Sequence, residues 1–239
     1  MLDLFPVSAS SYSDDIDSLI ITITWVVGVA FVLAELAIFW ALFRYRRRPG
    51  VKAAYITGEK KEEKKYINIP HFIIIVFDVF LIVGAIKVWV HIKQHMPEPD
   101  EQVRVIAQQW MWSFQYPGAD GEFDTDDDVR KVNELHLLKD KVYHYHLTSR
   151  DVLHCFSIPS FRLKQDSVPG REISGWFEPT LAGEYDLQCA EMCGIGHGLM
   201  MARVIVHEDA DTYQKWLADN APVGAGATSN SQLATAESK

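Results

Sequence analysis

The chain has no internal repeat, no Cys-x-x-Cys-His segment to attach a c-type haem, and no basic cluster apart from one that sits between two apolar runs. With a formal net charge of -9 it lacks what phosphate contact requires, which excludes a nucleic-acid binder. Glycine and proline, at 14 and 10 residues, stay near ordinary usage, so neither a collagenous chain nor a wholly disordered one fits. Its 239 residues, 48% of them hydrophobic, are ample for one globular domain and short for two. What is present is asymmetric. Nearly all of the uninterrupted apolar sequence precedes Met96, and most of the 32 acidic residues follow Glu98.

From Leu19 to Phe43 only Thr22, Thr24 and Glu35 break an apolar run of about 25 residues, which at about 1.5 Å each crosses a bilayer with some tilt. A second run, Ile67 to Val90, is also long enough, although His71, Asp78 and Lys87 interrupt it. Core helices of soluble proteins are shorter and carry a polar face, which disfavours a buried soluble pair. Between the runs, Arg44, Arg46, Arg47, Arg48, Lys52, Lys60, Lys61, Lys64 and Lys65 outnumber Glu59, Glu62 and Glu63. Short basic loops stay cytoplasmic, so both termini are expected outside. Asp14, Asp15 and Asp17 ahead of the first run agree with that and, with the run's length, argue against a cleaved signal peptide. Within the spans, Thr24 and Glu35 share one helical stripe and His71 and Asp78 another. These read as faces docked on a larger membrane subunit; protonated Glu35 and Asp78 hydrogen-bonded within the hairpin are the alternative.

After Met96-Pro97-Glu98-Pro99 the hydrophobic period changes from helical to alternating. Strands are expected at Val103–Ala107, Met111–Tyr116, Glu134–Leu138, Val142–Thr148, Glu172–Phe177, Gly183–Gln188 and Met200–His207. Many short strands over roughly 100 residues indicate a β-sandwich or Greek-key barrel. Asp120 to Asp128 reads as an exposed acidic loop, and a short helix through Trp216 and Leu217 as the closing element. The expected organisation is an external segment at 1–18, spans at 19–43 and 67–91 around a basic cytoplasmic loop at 44–66, and a β domain at 100–208. A closing segment at 209–220 and a disordered tail at 221–239 complete it.

The densest chemistry lies between Cys189 and Met200, where two thiols, the His197 imidazole and a thioether accompany glycines that let the backbone fold round a small object. Soft sulfur with imidazole suits copper, zinc or an iron-sulfur centre, and a Cys/His/Met loop between two strands of a β-sandwich is how blue-copper sites are built. A further imidazole is needed; His154, at the end of a strand-like run before Pro159, is the candidate. A Cys189–Cys193 disulfide leaves His197 and Met200 without a use, and zinc has no use for Met200. His136, His144 and His146 read as ordinary surface or interior histidines, and Cys155 as a buried inert thiol.

In this order the motifs resemble subunit II of the haem-copper cytochrome c oxidases. The likeness rests on Gln109-Trp110-Met111-Trp112 with Phe114, Asp151-Val152-Leu153-His154, Pro159 to Asp166, Val168-Pro169-Gly170-Arg171 and the Cys189 to Met200 segment, and it runs from the first span to about Val206. It implies a two-helix transmembrane hairpin followed by an all-β, cupredoxin-like Greek-key β-sandwich holding the dinuclear copper centre CuA. By position, Cys189 and Cys193 are implied to bridge both coppers and His154 and His197 to bind one each, while Met200 and the Glu191 carbonyl complete the sites. The Glu191 side chain is implied to reach a magnesium ion shared with subunit I, Trp110 to receive electrons from cytochrome c, and Glu63 to stand at the mouth of a proton-uptake channel. Departures from the mitochondrial pattern at Gln108, Met111 and Gln165 touch no copper ligand.

The resemblance implies the electron-accepting subunit of a proton-pumping respiratory oxidase. Electrons pass from cytochrome c through CuA to haem held by subunit I, where oxygen is reduced. Subunits I and III, cytochrome c and the lipid bilayer are the implied partners, and the bacterial plasma membrane, with the copper domain on the periplasmic side, the implied location. The acidic loop, Asp151 and Glu178 are expected to attract a lysine-rich cytochrome c, so that association slows steeply as salt rises. A quinol-oxidase subunit is the near alternative and lacks these copper ligands. A membrane-anchored copper-binding or delivery module outside any oxidase leaves the polar intramembrane residues and Glu191 unexplained.

Overall fold

The computed structural model describes residues 5–53 and 55–222. It divides into two units, one formed by Asp15–Gln94 and the other by the residues before and after that stretch. Two helices dominate the first: α1 (Ser13–Arg44) and α2 (Lys61–Trp89), the latter running into a π-helical turn at Val90–Gln94. Trp25, Phe31, Leu36 and Trp40 on α1, and Phe72, Ile75, Phe77 and Phe80 on α2, stay exposed, so the chain does not cover its own apolar surface. Both helices are long and apolar enough to cross a membrane. The Thr22 and Thr24 hydroxyls donate to the carbonyls of Ser18 and Ile20, each at 2.8 Å, which satisfies a polar group where water is absent. Each helix outruns its apolar segment. Glu62, Glu63, Lys64 and Lys65 form the first turns of α2 and not the end of the basic loop, because Lys and Glu are good helix formers and need no apolar surroundings.

The second unit is a sandwich of two five-stranded sheets. One has the order β3 (Val129–Val132), β2 (Met111–Tyr116), β1 (Glu101–Gln108), β5 (Tyr143–Ser149), β8 (Ile173–Phe177). The other runs β4 (Glu134–Leu138), β10 (Met201–His207), β9 (Gly183–Cys189), β6 (His154–Ile158), β7 (Leu163–Ser167). The pairs β1·β5 and β4·β10 are parallel, and the rest are antiparallel. Alternation builds the core: Val103 and Val105 of β1 stand opposite Tyr145 and Leu147 of β5 in register, all buried, while the residues between them reach the surface. β6 is buried at all five residues and so shows no alternation, whereas β3 and β7 are short polar edges.

Residues near the N-terminus belong to this unit. Ala9 and Tyr12 are buried, Ser10 bridges to Pro179, and the Tyr12 ring meets Trp176 edge-on at 5.2 Å. At the other end α3 (Ala210–Asn220) is capped by Asp209, whose side chain accepts from the Thr212 N–H at 2.9 Å. The tail expected to be disordered lies, from residue 223 on, outside the described residues.

The acidic loop differs from its expected form. Asp128 is buried against Gln115 and Arg130, Asp124 pairs with Arg104 at 2.7 Å, and Asp127 accepts from the Ala119 N–H at 2.7 Å. Asp120 accepts from the Glu122 N–H at 2.9 Å as well, so most of the run's carboxylates serve the loop's own folding, because a turn this acidic holds only if its charges find donors.

Candidate metal centre

β9 and β10 are antiparallel neighbours, and the segment between them is the Cys/His/Met loop. At its mouth the Cys189 N–H donates to the Met200 carbonyl at 3.1 Å, which sets the first and last candidate ligands side by side. β6 lies along the other edge of β9, with Phe156 opposite Cys189 and the Ala190 N–H on the Cys155 carbonyl at 3.1 Å. His154, two residues before Phe156 on the same strand face, therefore comes up beside Cys189. It opens β6, where a position closing the preceding run was expected, since the chain from Asp151 to Leu153 is an irregular turn.

The expected ligands converge. The Cys189 and Cys193 Sγ atoms are 3.7 Å apart and both thiols are free, against about 2.05 Å for a disulfide. His154 Nδ1 lies 3.9 Å from Cys189 Sγ, His197 Nδ1 3.7 Å from Cys193 Sγ, and Met200 Sδ 3.8 Å from Cys193 Sγ. The Glu191 carbonyl accepts from the Cys189 thiol at 3.2 Å. His154, Cys189, Cys193 and Met200 are buried. Burial and the neighbouring Cys189 push the Cys193 thiol up to about 11, so a metal must displace protons to bind. This donor set, sulfur and imidazole on a closed loop, fits copper. Cys155 points away, and burial together with Asp166 raises its thiol to about 12.

Glycine makes the loop possible. Gly194 has φ +121°, which a side chain would strain, and a Cβ on Gly196 would run into the Trp110 ring. Trp110, 38% exposed, thus lies flat against the loop, and its indole N–H donates to the Cys193 carbonyl at 3.3 Å. The same carbonyl accepts from the Gln109 side-chain amide at 2.8 Å. On the other side, His154 Nε2 meets Asp151 Oδ1 at 2.9 Å, and Asp151 Oδ2 accepts from the Gln109 N–H at 2.6 Å. Burial raises the Asp151 carboxyl, but the Gln109 N–H, the His154 ring and the Val152 N–H outweigh it and hold it below the usual carboxylate range.

Gln109 and Asp151 are contacts that the motifs did not reveal as such. The Asp-x-x-His spacing was the available signal, since it is how a carboxylate reaches the outer nitrogen of a ligating histidine. The remaining candidates sit elsewhere. The Glu191 side chain is partly exposed beside the cluster. Glu63 lies in the first turn of α2, where its carboxylate accepts from the Gly58 N–H at 2.9 Å.

Known proteins of this kind exist. The profile of the cytochrome c oxidase subunit II periplasmic domain matches residues 102–208. An alternative cytochrome c oxidase subunit 2 from Bradyrhizobium diazoefficiens is 32% identical over 224 residues, covering 84% of this chain and 79% of that protein. This chain belongs to the cytochrome c oxidase subunit II family. A cytochrome c oxidase subunit 2 from Cereibacter sphaeroides is 26% identical and covers 89% and 78%. The crystal structure of the periplasmic domain of subunit II of cytochrome oxidase from Bradyrhizobium japonicum, 27% identical, superposes on 53% of this chain and 96% of its own with a TM-score of 0.47. The subunit's two apolar helices and cupredoxin-like sandwich are the architecture of that family, whose members are parts of haem-copper terminal oxidases, and copper is consistent with it.

Proposed function

We propose that this subunit holds CuA and relays electrons from cytochrome c to haem in subunit I of a proton-pumping oxidase. The observation that carries the reading is the sulfur pair at 3.7 Å with an imidazole Nδ1 within 3.9 Å of each sulfur. Cys189, Cys193, His154 and His197 would hold the copper centre, with Met200 and the Glu191 carbonyl completing the donor set. Bound there, copper would supply a one-electron carrier. The residues around it do the rest. Burial keeps water and oxygen from the sulfurs, and the loop's register with β6 and β10 fixes the ligands before metal arrives, so little rearrangement accompanies electron transfer.

Trp110 is the donor-facing group, because its half-exposed ring reaches the backbone of Cys193 through one hydrogen bond. The Glu191 carboxylate is assigned to a magnesium ion shared with subunit I, which suits a hard cation beside a soft site. Glu63 belongs to the same reading as a proton-uptake residue. The packing of Ala9 and Tyr12 on the β domain supports a topology in which both ends of the chain lie with the copper domain on the periplasmic side. Subunits I and III would cover the polar stripes of Glu35 and Asp78. Rapid mixing of reduced cytochrome c with the oxidised complex tests the relay. A fast phase at the copper absorption should precede haem reduction and vanish in Cys193→Ser; haem reduction at an unchanged rate in that variant would overturn it.

A further inference from the structure

In the β domain basic side chains find acids: Arg104 pairs with Asp124 and Arg203 with Asp186, each at 2.7 Å, and Lys139 meets Glu208 at 2.8 Å. The stretch from Arg44 to Lys65 is different. It carries nine Lys and Arg against three Glu, a net +6 in a chain of net -9, and all nine are exposed. Among the described residues none of the nine side chains pairs with a carboxylate, although acids lie in the same stretch. Two of those acids are committed to α2. Glu62 and Glu63 occupy its first turn, where the helix dipole favours them, and Glu63 accepts from the Gly58 N–H at 2.9 Å.

The rings beside these cations set their depth. Arg44 ends α1 directly after the first apolar run, and Lys64 and Lys65 stand just before the second. Arg44 Cζ lies 5.4 Å from the centre of the Tyr45 ring and Lys65 Nζ 5.3 Å from that of Tyr66, while Trp40 meets Tyr45 edge-on at 5.8 Å. Trp40, Tyr45 and Tyr66 are all exposed, and such rings at the end of an apolar span settle among lipid headgroups. The cations over them therefore lie level with the phosphates.

We propose that the connection between α1 and α2 is a binding surface for anionic phospholipid, with Arg44, Arg46, Arg47, Arg48, Lys64 and Lys65 holding headgroup phosphates at the two helix ends. This rests on α1 and α2 crossing a bilayer and not on the copper reading. Orienting the hairpin needs only an excess of positive charge; the missing ion pairs and the rings beneath the cations are what call for a ligand. Like charges this dense repel one another unless anions lie among them. Lipid fits where an acidic protein segment does not, because the cations are split between two helix ends on long flexible stems, which suits several separate phosphates and not one rigid surface.

The test places the whole oxidase in phosphatidylcholine bilayers with a trace of spin-labelled phosphatidylglycerol or spin-labelled phosphatidylcholine. The motionally restricted fraction of each label reads its relative affinity for the protein. The anionic label should be favoured by about 3-fold or more at low salt, and the preference should fall close to unity at about 1 M salt. Arg46→Gln, Arg47→Gln and Arg48→Gln combined, with Arg44 and the lysines kept to hold the topology, should cut the preference by about half or more. If that variant does not assemble, Lys64→Gln with Lys65→Gln carries the same expectation. Equal restriction of both labels in the unchanged oxidase, a preference indifferent to salt, or one undiminished in the variants would each overturn the proposal. So would an arginine variant that sheds a neighbouring subunit while the unchanged oxidase shows no lipid preference, since the arginines would then hold an acidic protein segment. A failed copper spectrum would remove the relay and leave this surface standing.

Discussion

Strand β10 joins two clusters assembled from the same kinds of side chain. Just before it begins, Met200 and the His197 imidazole both approach Cys193 and the His154 imidazole approaches Cys189, with the Trp110 indole against the loop. Where it ends, His207 Nε2 meets His136 Nδ1 at 3.0 Å, and His136 stacks on Trp216 with ring centroids 4.0 Å apart. The composition is alike and the chemistry is not. Among the described residues only the first cluster brings three metal-ligating side chains together, His154, Cys189 and Cys193. At the second, the imidazoles bind each other, and burial disfavours their charge. A histidine pair beside a tryptophan becomes a metal centre when soft ligands meet its nitrogens and a glycine loop leaves room for the ion. Without those, the same residues fasten α3 to the sheet.

The largest contrast should come from removing one group at each end. Cys193→Ser should lower copper content by about 100-fold or more, since one of the two clustered thiols goes, whereas His207→Ala should leave metal content unchanged; elemental analysis of the purified protein decides both. Next come the two tryptophans. Trp110→Ala should slow electron uptake by about 100-fold and change stability by less than about 1 kcal/mol, because the ring is half exposed. Trp216→Ala should do the reverse, destabilising the domain by about 2 kcal/mol in a denaturant titration with the copper spectrum intact. If both variants lost only stability, the contrast between the clusters would collapse.

Acid should sharpen it further. Burial, with the His207 and Lys131 charges, pushes His136 down to about 4 against the upward pull of Glu134, and burial lowers His207 against Asp209. The unfolded chain, with histidines near 6.5, takes up protons first as pH falls. Stability is therefore fully present above about 6.5 and lost between there and about 4, by roughly 1–3 kcal/mol. A stability curve flat across that window, or one unchanged by His136→Gln, would contradict this. Salt should matter least. With Asp124, Asp127 and Asp128 engaged inside the loop, the donor on-rate should fall by about 10-fold or less between low and physiological ionic strength, as stopped-flow mixing would show.

Much of this was readable before any coordinates. The helices declared themselves because their apolar surface is unbroken, and a solvent of lipid imposes that pattern without regard to tertiary detail. Strands with one wet face, such as β1, β5 and β10, were legible through alternation. β6 was not, because both its faces are buried, and β3 and β7 were hidden by the polar character of edges. In the site, residue types and spacing in the Cys189–Met200 loop named the ligands. Nothing local named the nitrogen each imidazole presents, the burial of Asp128, or the bond from Gln109 to Cys193. Those depend on β2, β6 and the β9–β10 loop meeting in space, with residues as far apart as 109 and 193 sharing one carbonyl.

The most direct test is the paramagnetic resonance spectrum and copper count of the oxidised protein purified with its full chain. The account predicts two coppers per chain sharing one unpaired electron, with hyperfine splitting from both nuclei. One copper with an ordinary four-line signal, or zinc in its place, would contradict it.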